Sequence, residues 1–152
     1  MHYFLNTNVH QSNSLRSPIG DTMVNIAVLV KQVPDTNSKI QITGDRVDLS
    51  SVKMDISPYD EFAVENALQH KDSNGGTVTA ITLGGPGADK VLKGVKALGV
   101  DNIVRLDYDG FMDSNGLQSV LANEISSGGF DVVYCGKSAA DTGAGSTGPG
   151  IA

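Results

Sequence analysis

The residues best placed to do chemistry are glycines, hydroxyls and charged groups gathered at four junctions. These are KQVPD (31–35), SPYD (57–60), GGPG (84–87) and the closing stretch GKSAADTGAGSTGPGIA (136–152). Glycine lets a backbone approach a ligand closely, and free N–H groups at the opening of a helix attract phosphate. The closing stretch is the stronger cradle, because its glycines run into Ser146 and Thr147, and Asp141 is a suitable acceptor for ribose hydroxyls. Glycine-rich turns also occur for purely structural reasons, so the loop alone leaves both readings open. Residues 23–152 show no pair of carboxylates, no Ser/His/Asp set and no metal-ligand spacing, and His70 is expected to follow a helix and face solvent. Cys135 ends an apolar run and is expected to pack in the core.

These junctions need elements to position them. From Met23 the chain alternates strands and helices, the pattern of a parallel-sheet α/β fold. VNIAVLV (24–30) is a continuous apolar, β-branched run expected of a strand buried on both faces. KIQITGDRVDLS predicts a hairpin turning at Gly44-Asp45. SPYDEFAVENALQH predicts a helix with Ser57 as N-cap, Pro58 at its first position and Phe62, Ala63, Ala67 and Leu68 on one buried face. TVTAITL (77–83), NIVRLDY (102–108) and DVVYCG (131–136) predict further core strands. GADKVLKGVKAL, stopped by Gly99, and GLQSVLANEISS predict the helices between them. Chemistry in such folds gathers outside the carboxyl ends of the strands, where strand order reverses, so the four junctions are expected to converge there.

Composition bounds the function. The chain has 152 residues, 39% hydrophobic and 18% charged, which suits one globular α/β domain. A formal net charge of −6 argues against nucleic-acid and anionic-membrane partners, which require clustered cations. One cysteine cannot form an intramolecular disulfide or hold a cluster, which suits a reducing compartment. Residues 1–22 lack the apolar core of a secretion signal and the arginines of a transit peptide, and are expected to be a disordered extension or a mis-assigned start. Residues 23–152 form the domain.

Taken in order and spacing, AVLVKQVPDT, ISPYDEFAVENAL, VTAITLGGPGADKVLKGVKALGVDNIVRL and DVVYCGKSAADTGAGSTGPGIA make the chain resemble the beta subunit of electron transfer flavoprotein, including the FixA-type members. The resemblance runs from about Met23 to Ala152. Ser57-Pro58 stands where the family usually has Asn-Pro, and Ser146 where it often has Gln.

The resemblance implies a three-layer, mostly parallel sheet with helices on both faces, a Rossmann-like adenine-nucleotide-binding fold truncated before its last strands. It implies that the chain is an amino-terminal fragment whose missing helix would leave one sheet face uncovered. The implied function is electron transfer without catalytic residues. This subunit would bind AMP or a second FAD, while the redox FAD is held largely by the alpha subunit. Implied partners are that alpha subunit, flavin-dependent dehydrogenases such as acyl-CoA dehydrogenases, and the quinone oxidoreductase or another acceptor, in a bacterial or archaeal cytoplasm rather than a mitochondrial matrix. Carried over by motif, the nucleotide contacts fall on Leu29, on Ser57, Pro58, Tyr59 and Asp60, on Gly84, and along Gly136, Lys137, Ser138, Ala139, Ala140, Asp141, Thr142, Gly143, Ala144, Gly145, Ser146 and Thr147. Asp60 reads equally as a helix cap, Tyr59 as a packing residue and Lys137 as a solvated charge. A stand-alone nucleotide-binding module of the universal-stress-protein kind is the alternative, although its glycine loop has a different spacing.

Overall fold

A computed structural model describes residues 5–6 and 23–152. The expectation for residues 1–22 lies otherwise outside the described residues, apart from Leu5–Asn6, which form a short strand, β1. The core strand β2 (Val24–Leu29) is followed by two small excursions, β3 (Gln32–Pro34) paired with β6 (Met54–Ile56), and between them the hairpin of β4 (Gln41–Thr43) and β5 (Arg46–Asp48). Then come α1 (Pro58–Asn74), β7 (Gly76–Gly84), a 3-10 turn at Pro86–Ala88, α2 (Asp89–Ala97) and β8 (Asn102–Asp107). The chain ends with α3 (Ser114–Gly128), β9 (Val132–Cys135) and α4 (Thr147–Ile151).

The main sheet has the order β1-β9-β2-β7-β8, parallel throughout except for β1, which runs antiparallel to β9. Strand order reverses between β2 and β9, so the first core strand is flanked by the second and the fourth. Side chains alternate along each strand and divide the core into two layers, as a sheet buried on both faces requires. Ile26, Val28, Val78, Ala80 and Tyr134 pack under α1 and α2 with Ala63, Val64, Ala67, Leu92 and Val95. Ala27, Leu29, Ile81, Val133 and Cys135 pack under α3 with Leu121, Ile125 and Phe130. Val133 and Cys135 are therefore closed, at 1% and 5% exposure, where an open face was expected.

The helix starts follow the sequence closely. Ser57 is extended and Pro58 opens α1 with Asp60 and Glu61 in the first turn. Asp113 caps α3 by accepting the Gly116 N–H at 2.8 Å. Two expectations fail in detail. Phe62 is 61% exposed, and Val64 takes the core position, because the buried stripe of α1 is Asp60, Ala63, Val64 and Ala67. His70 lies inside α1 and is half-buried, its Nδ1 2.9 Å from the Tyr134 hydroxyl, so it is held against the sheet rather than solvated.

Gly76 opens β7 at φ +121°, and a Cβ there would strike the Val24 main chain on the neighbouring strand. Gly44 in the hairpin is also left-handed, at φ +68°, with open space around it. Gly44→Ala should cost about 1–2 kcal/mol from backbone strain alone. Gly76→Ala should cost clearly more and lower the melting temperature further, since strand pairing must open as well. Thermal melts of both variants check this order.

Candidate functional site

The carboxyl ends of β2, β7 and β9 open into a cleft of about 480 Å³ at the switch point. Leu29, Val30 and Lys31 line it from β2, Thr82 to Gly85 from β7, and Cys135 to Ala139 from β9, with Thr142 and Ala144 to Gly148 closing over them. Helix α1 contributes one lining residue, Asp60.

Of the predicted contacts, Leu29, Asp60, Gly84, Gly136, Lys137, Ser138, Ala139, Thr142, Ala144, Gly145, Ser146 and Thr147 line this cleft. Ser57, Pro58, Tyr59, Ala140, Asp141 and Gly143 do not. The four junctions converge only in part. Within KQVPD, Lys31 faces the cleft, whereas Gln32–Pro34 leaves as β3 and Asp35 lines a separate polar hollow with Lys53 and Asp55. Tyr59 is 46% exposed, and Ser57 is wholly buried with its Oγ lacking a hydrogen-bond partner among the described residues.

Asp60 does not cap its helix. Its carboxylate crosses to the sheet, accepting the Lys31 N–H on Oδ2 at 2.8 Å and the Gly136 N–H on Oδ1 at 3.2 Å. Burial pushes this carboxyl up to about 6, opposed by the two N–H donors and the Lys31 charge. Burial and the Asp60 charge in turn push the Cys135 thiol up to about 11. Asp141 forms an ion pair with Lys31 Nζ at 2.7 Å and accepts the Thr142 N–H at 2.8 Å, which draws the glycine loop toward the end of β2. The far side of that loop is held by Gln118 Nε2, donating to the Ser146 carbonyl at 3.0 Å.

Sequence reading missed one wall of the cleft. Tyr108 to Gly110, Met112 and Asp113, between β8 and α3, and Ser114 and Leu117 in the first turns of α3 line it as well. Tyr108 steadies this segment by donating its hydroxyl proton to the Phe111 carbonyl at 2.8 Å. The available signal was positional, since this loop also follows the carboxyl end of a parallel strand.

The lining combines donors from the glycine loop with the acids Asp60, Asp109 and Asp113. Ser138, Thr142, Ser146 and Thr147 supply hydroxyls, and Lys137 supplies an ammonium. Among the described residues no group of three or more His, Cys, Asp or Glu is arranged to hold a metal ion, and no helix is long and apolar enough to cross a membrane.

Fold and site together define a parallel α/β protein with a glycine loop over its switch point. The family model for the electron transfer flavoprotein domain matches residues 46–152. The chain is 35% identical over 132 residues to an electron transfer flavoprotein subunit beta of Bacillus subtilis, covering 85% of this chain and 51% of that one. It is 35% identical over 133 residues to the acryloyl-CoA reductase electron transfer subunit gamma of Anaerotignum propionicum, covering 84% and 50%. It is 34% identical over 137 residues to a FixA protein of Sinorhizobium fredii, covering 85% and 48%. The chain belongs to the electron transfer flavoprotein family, in its beta-subunit and FixA branch. It spans about half the length of the curated relatives it matches.

The raised Asp60 carboxyl means that the folded chain binds a proton the unfolded chain has released above its ordinary value of 3.8. That contribution to stability is fully present below about 3.8 and is lost as pH rises through about 6. The native chain should therefore gain stability relative to Asp60→Asn as pH is lowered from roughly 8 to 5. Denaturant titrations of the two proteins across this range measure it. The Cys135 thiol should resist alkylation by iodoacetamide near pH 8 until the chain is unfolded, because little thiolate is present.

Proposed function

We propose that this chain is the nucleotide-binding part of an electron transfer flavoprotein beta subunit. The cleft at the switch point takes an adenine nucleotide, AMP or a second FAD. The observation that carries the reading is the loop from Gly136 to Thr147, laid across the carboxyl ends of β2 and β9 with four hydroxyl side chains and Lys137 on the cleft wall. In this reading the end of β2 at Leu29 and Val30 and the turn at Gly84 offer main-chain contacts to the base. Ser138 and Thr142 serve the ribose, and Ser146 and Thr147 donate to phosphate. Asp141 acts through Lys31 and the loop rather than on the ligand itself, a change from the ribose contact expected of it.

The working partner is an alpha subunit that holds the redox FAD, whose isoalloxazine ring accepts and releases the electrons. This chain binds, orients and shields, and contributes no catalytic residue. Electrons come from flavin-dependent dehydrogenases and leave to a quinone oxidoreductase or another acceptor, in the cytoplasm. One relative bears the name of an acryloyl-CoA reductase electron transfer subunit, which supports a partner enzyme that acts on acyl-CoA thioesters. The universal-stress-type module is not the family that the chain matches.

Mass spectrometry of the nucleotide released from the chain co-expressed with its alpha subunit tests this reading, with AMP or FAD at one equivalent expected. Thr147→Val should weaken the nucleotide by about 1–3 kcal/mol if a buried hydrogen bond to phosphate is lost. Release of no nucleotide, or unchanged affinity in the variant, would count against the assignment.

A further inference from the structure

Two strand ends flank the switch point, and one carboxylate holds both. Asp60 Oδ2 takes the N–H of Lys31 at the end of β2, and Oδ1 takes the N–H of Gly136 at the end of β9, one bond to each oxygen. Asp60 is 8% exposed and lines the cleft floor. The approach depends on glycine at 136, where a Cβ would collide with Asp60 Oδ1 and with the Tyr59 main chain.

We propose that Asp60 is the positioning residue of the nucleotide cleft: it sets the spacing between the ends of β2 and β9, and when it takes up a proton it releases one of them and loosens the nucleotide. The inference rests on the nucleotide reading above. A carboxylate offers two acceptor oxygens, whereas a carboxylic acid offers one carbonyl oxygen and a hydroxyl that donates. Protonation therefore leaves one of the two N–H groups facing a hydroxyl oxygen, a far weaker acceptor than a carboxylate. Because the two donors come from different strands, the loss lets the strand ends separate rather than weakening one contact uniformly.

The groups facing Asp60 set where this happens. Lys31 on β2 favours the charged form, while burial and Asp141 in the glycine loop favour the neutral one. Cys135 on β9 faces it as a protonated thiol, and Tyr59 and Glu61 flank it on α1. With the carboxyl pushed up to about 6, the change falls just below neutral pH.

The test uses the full chain in the complex in which it purifies, with AMP as probe. AMP affinity by calorimetry and amide exchange at Lys31 and Gly136 are measured between pH 5.5 and 7.5 for the native protein, Asp60→Asn and Asp141→Asn. The AMP phosphate titrates in the same range, with a second pKa of roughly 6, so the readout is the difference in slope between proteins. Asp60→Asn carries a single side-chain oxygen and imitates the protonated state. The native protein should lose roughly tenfold more affinity on acidification than Asp60→Asn, with protection of Lys31 or Gly136 falling in step. Asp141→Asn removes a charge that favours the neutral carboxyl, so its slope should persist with the midpoint moved to lower pH. Equal slopes in native and Asp60→Asn, or native protection factors at Lys31 and Gly136 that do not change with pH, would overturn the proposal. A midpoint in Asp141→Asn that stays put or moves to higher pH would do so too. If AMP fails to bind while native protection still follows pH, the nucleotide reading falls and the clamp stands. If AMP binds and protection is flat, the clamp falls and the reading stands. Should Asp60→Asn fail to fold, the native protection profile and Asp141→Asn decide the matter.

Discussion

The last paired residues of β2 and β9 are Leu29 and Cys135, and beyond them the two chains diverge toward different layers of the molecule. Nothing in the strand ladder holds those ends together, and the Asp60 carboxylate takes over where the ladder stops. Burying a carboxylate is costly, and two N–H donors together with the nearby Lys31 ammonium offset that cost. The rest of the local structure follows from this one contact. Helix α1 must begin at Pro58 so that Asp60 falls in its first turn, and residue 136 must lack a side chain so that the carboxylate can reach its N–H. Ser57, just ahead, donates its own N–H to the Lys31 carbonyl at 3.0 Å, so the start of α1 is strapped to the end of β2 by main chain as well.

Related devices close the opposite end of the sheet. Asp131 accepts the Asn25 N–H at 2.9 Å and returns its own N–H to the Asn25 carbonyl at 2.8 Å, tying β2 to β9 at their amino ends. Asp101 accepts the Val78 N–H at 2.8 Å while paired with Lys71 at 2.7 Å, which fixes α1, β7 and the start of β8 together. Those aspartates are partly exposed and their contacts are individually modest. Asp60 alone among the three sits in the cleft, and it carries a perturbed carboxyl because water has been removed from it. The sheet is thus tied at one end by partly exposed aspartates and at the other by a buried one.

The sequence displayed its alternating elements clearly because each is signalled locally: a β-branched run for β2, Ser57-Pro58 for the start of α1, Gly44-Asp45 for the hairpin, Gly99 after α2. The site was legible to the extent that it consists of main chain and small residues, as in the glycine loop. What could not be read was the direction taken by individual side chains. Asp60 has the type and position of a first-turn acid, and local rules assign it to its own helix; only the packing of α1 on the sheet turns it toward two strand ends distant in sequence. Asp141 looked like a ribose ligand because its loop does, yet Lys31, 110 residues away, claims it. Phe62 and Val64 exchanged roles because helical periodicity alone locates a stripe to within about one residue.

These pairings also show how the two aspartates around the glycine loop, Asp60 and Asp141, are kept from opposing its donors. An acidic chain with carboxylates at its binding site would repel phosphate if those charges faced it freely. The Asp141 charge is turned onto Lys31 and the Thr142 N–H, outside the residues that line the cleft. The Asp60 charge is directed at two main-chain N–H groups in its floor. Lys137 and the hydroxyl-bearing Ser138, Thr142, Ser146 and Thr147 line the cleft from the glycine loop, and Asp109 and Asp113 line it from the segment after β8. Asp60 and Asp113 are thus turned onto main-chain N–H groups and Asp141 onto Lys31, while Asp109 also lines the cleft.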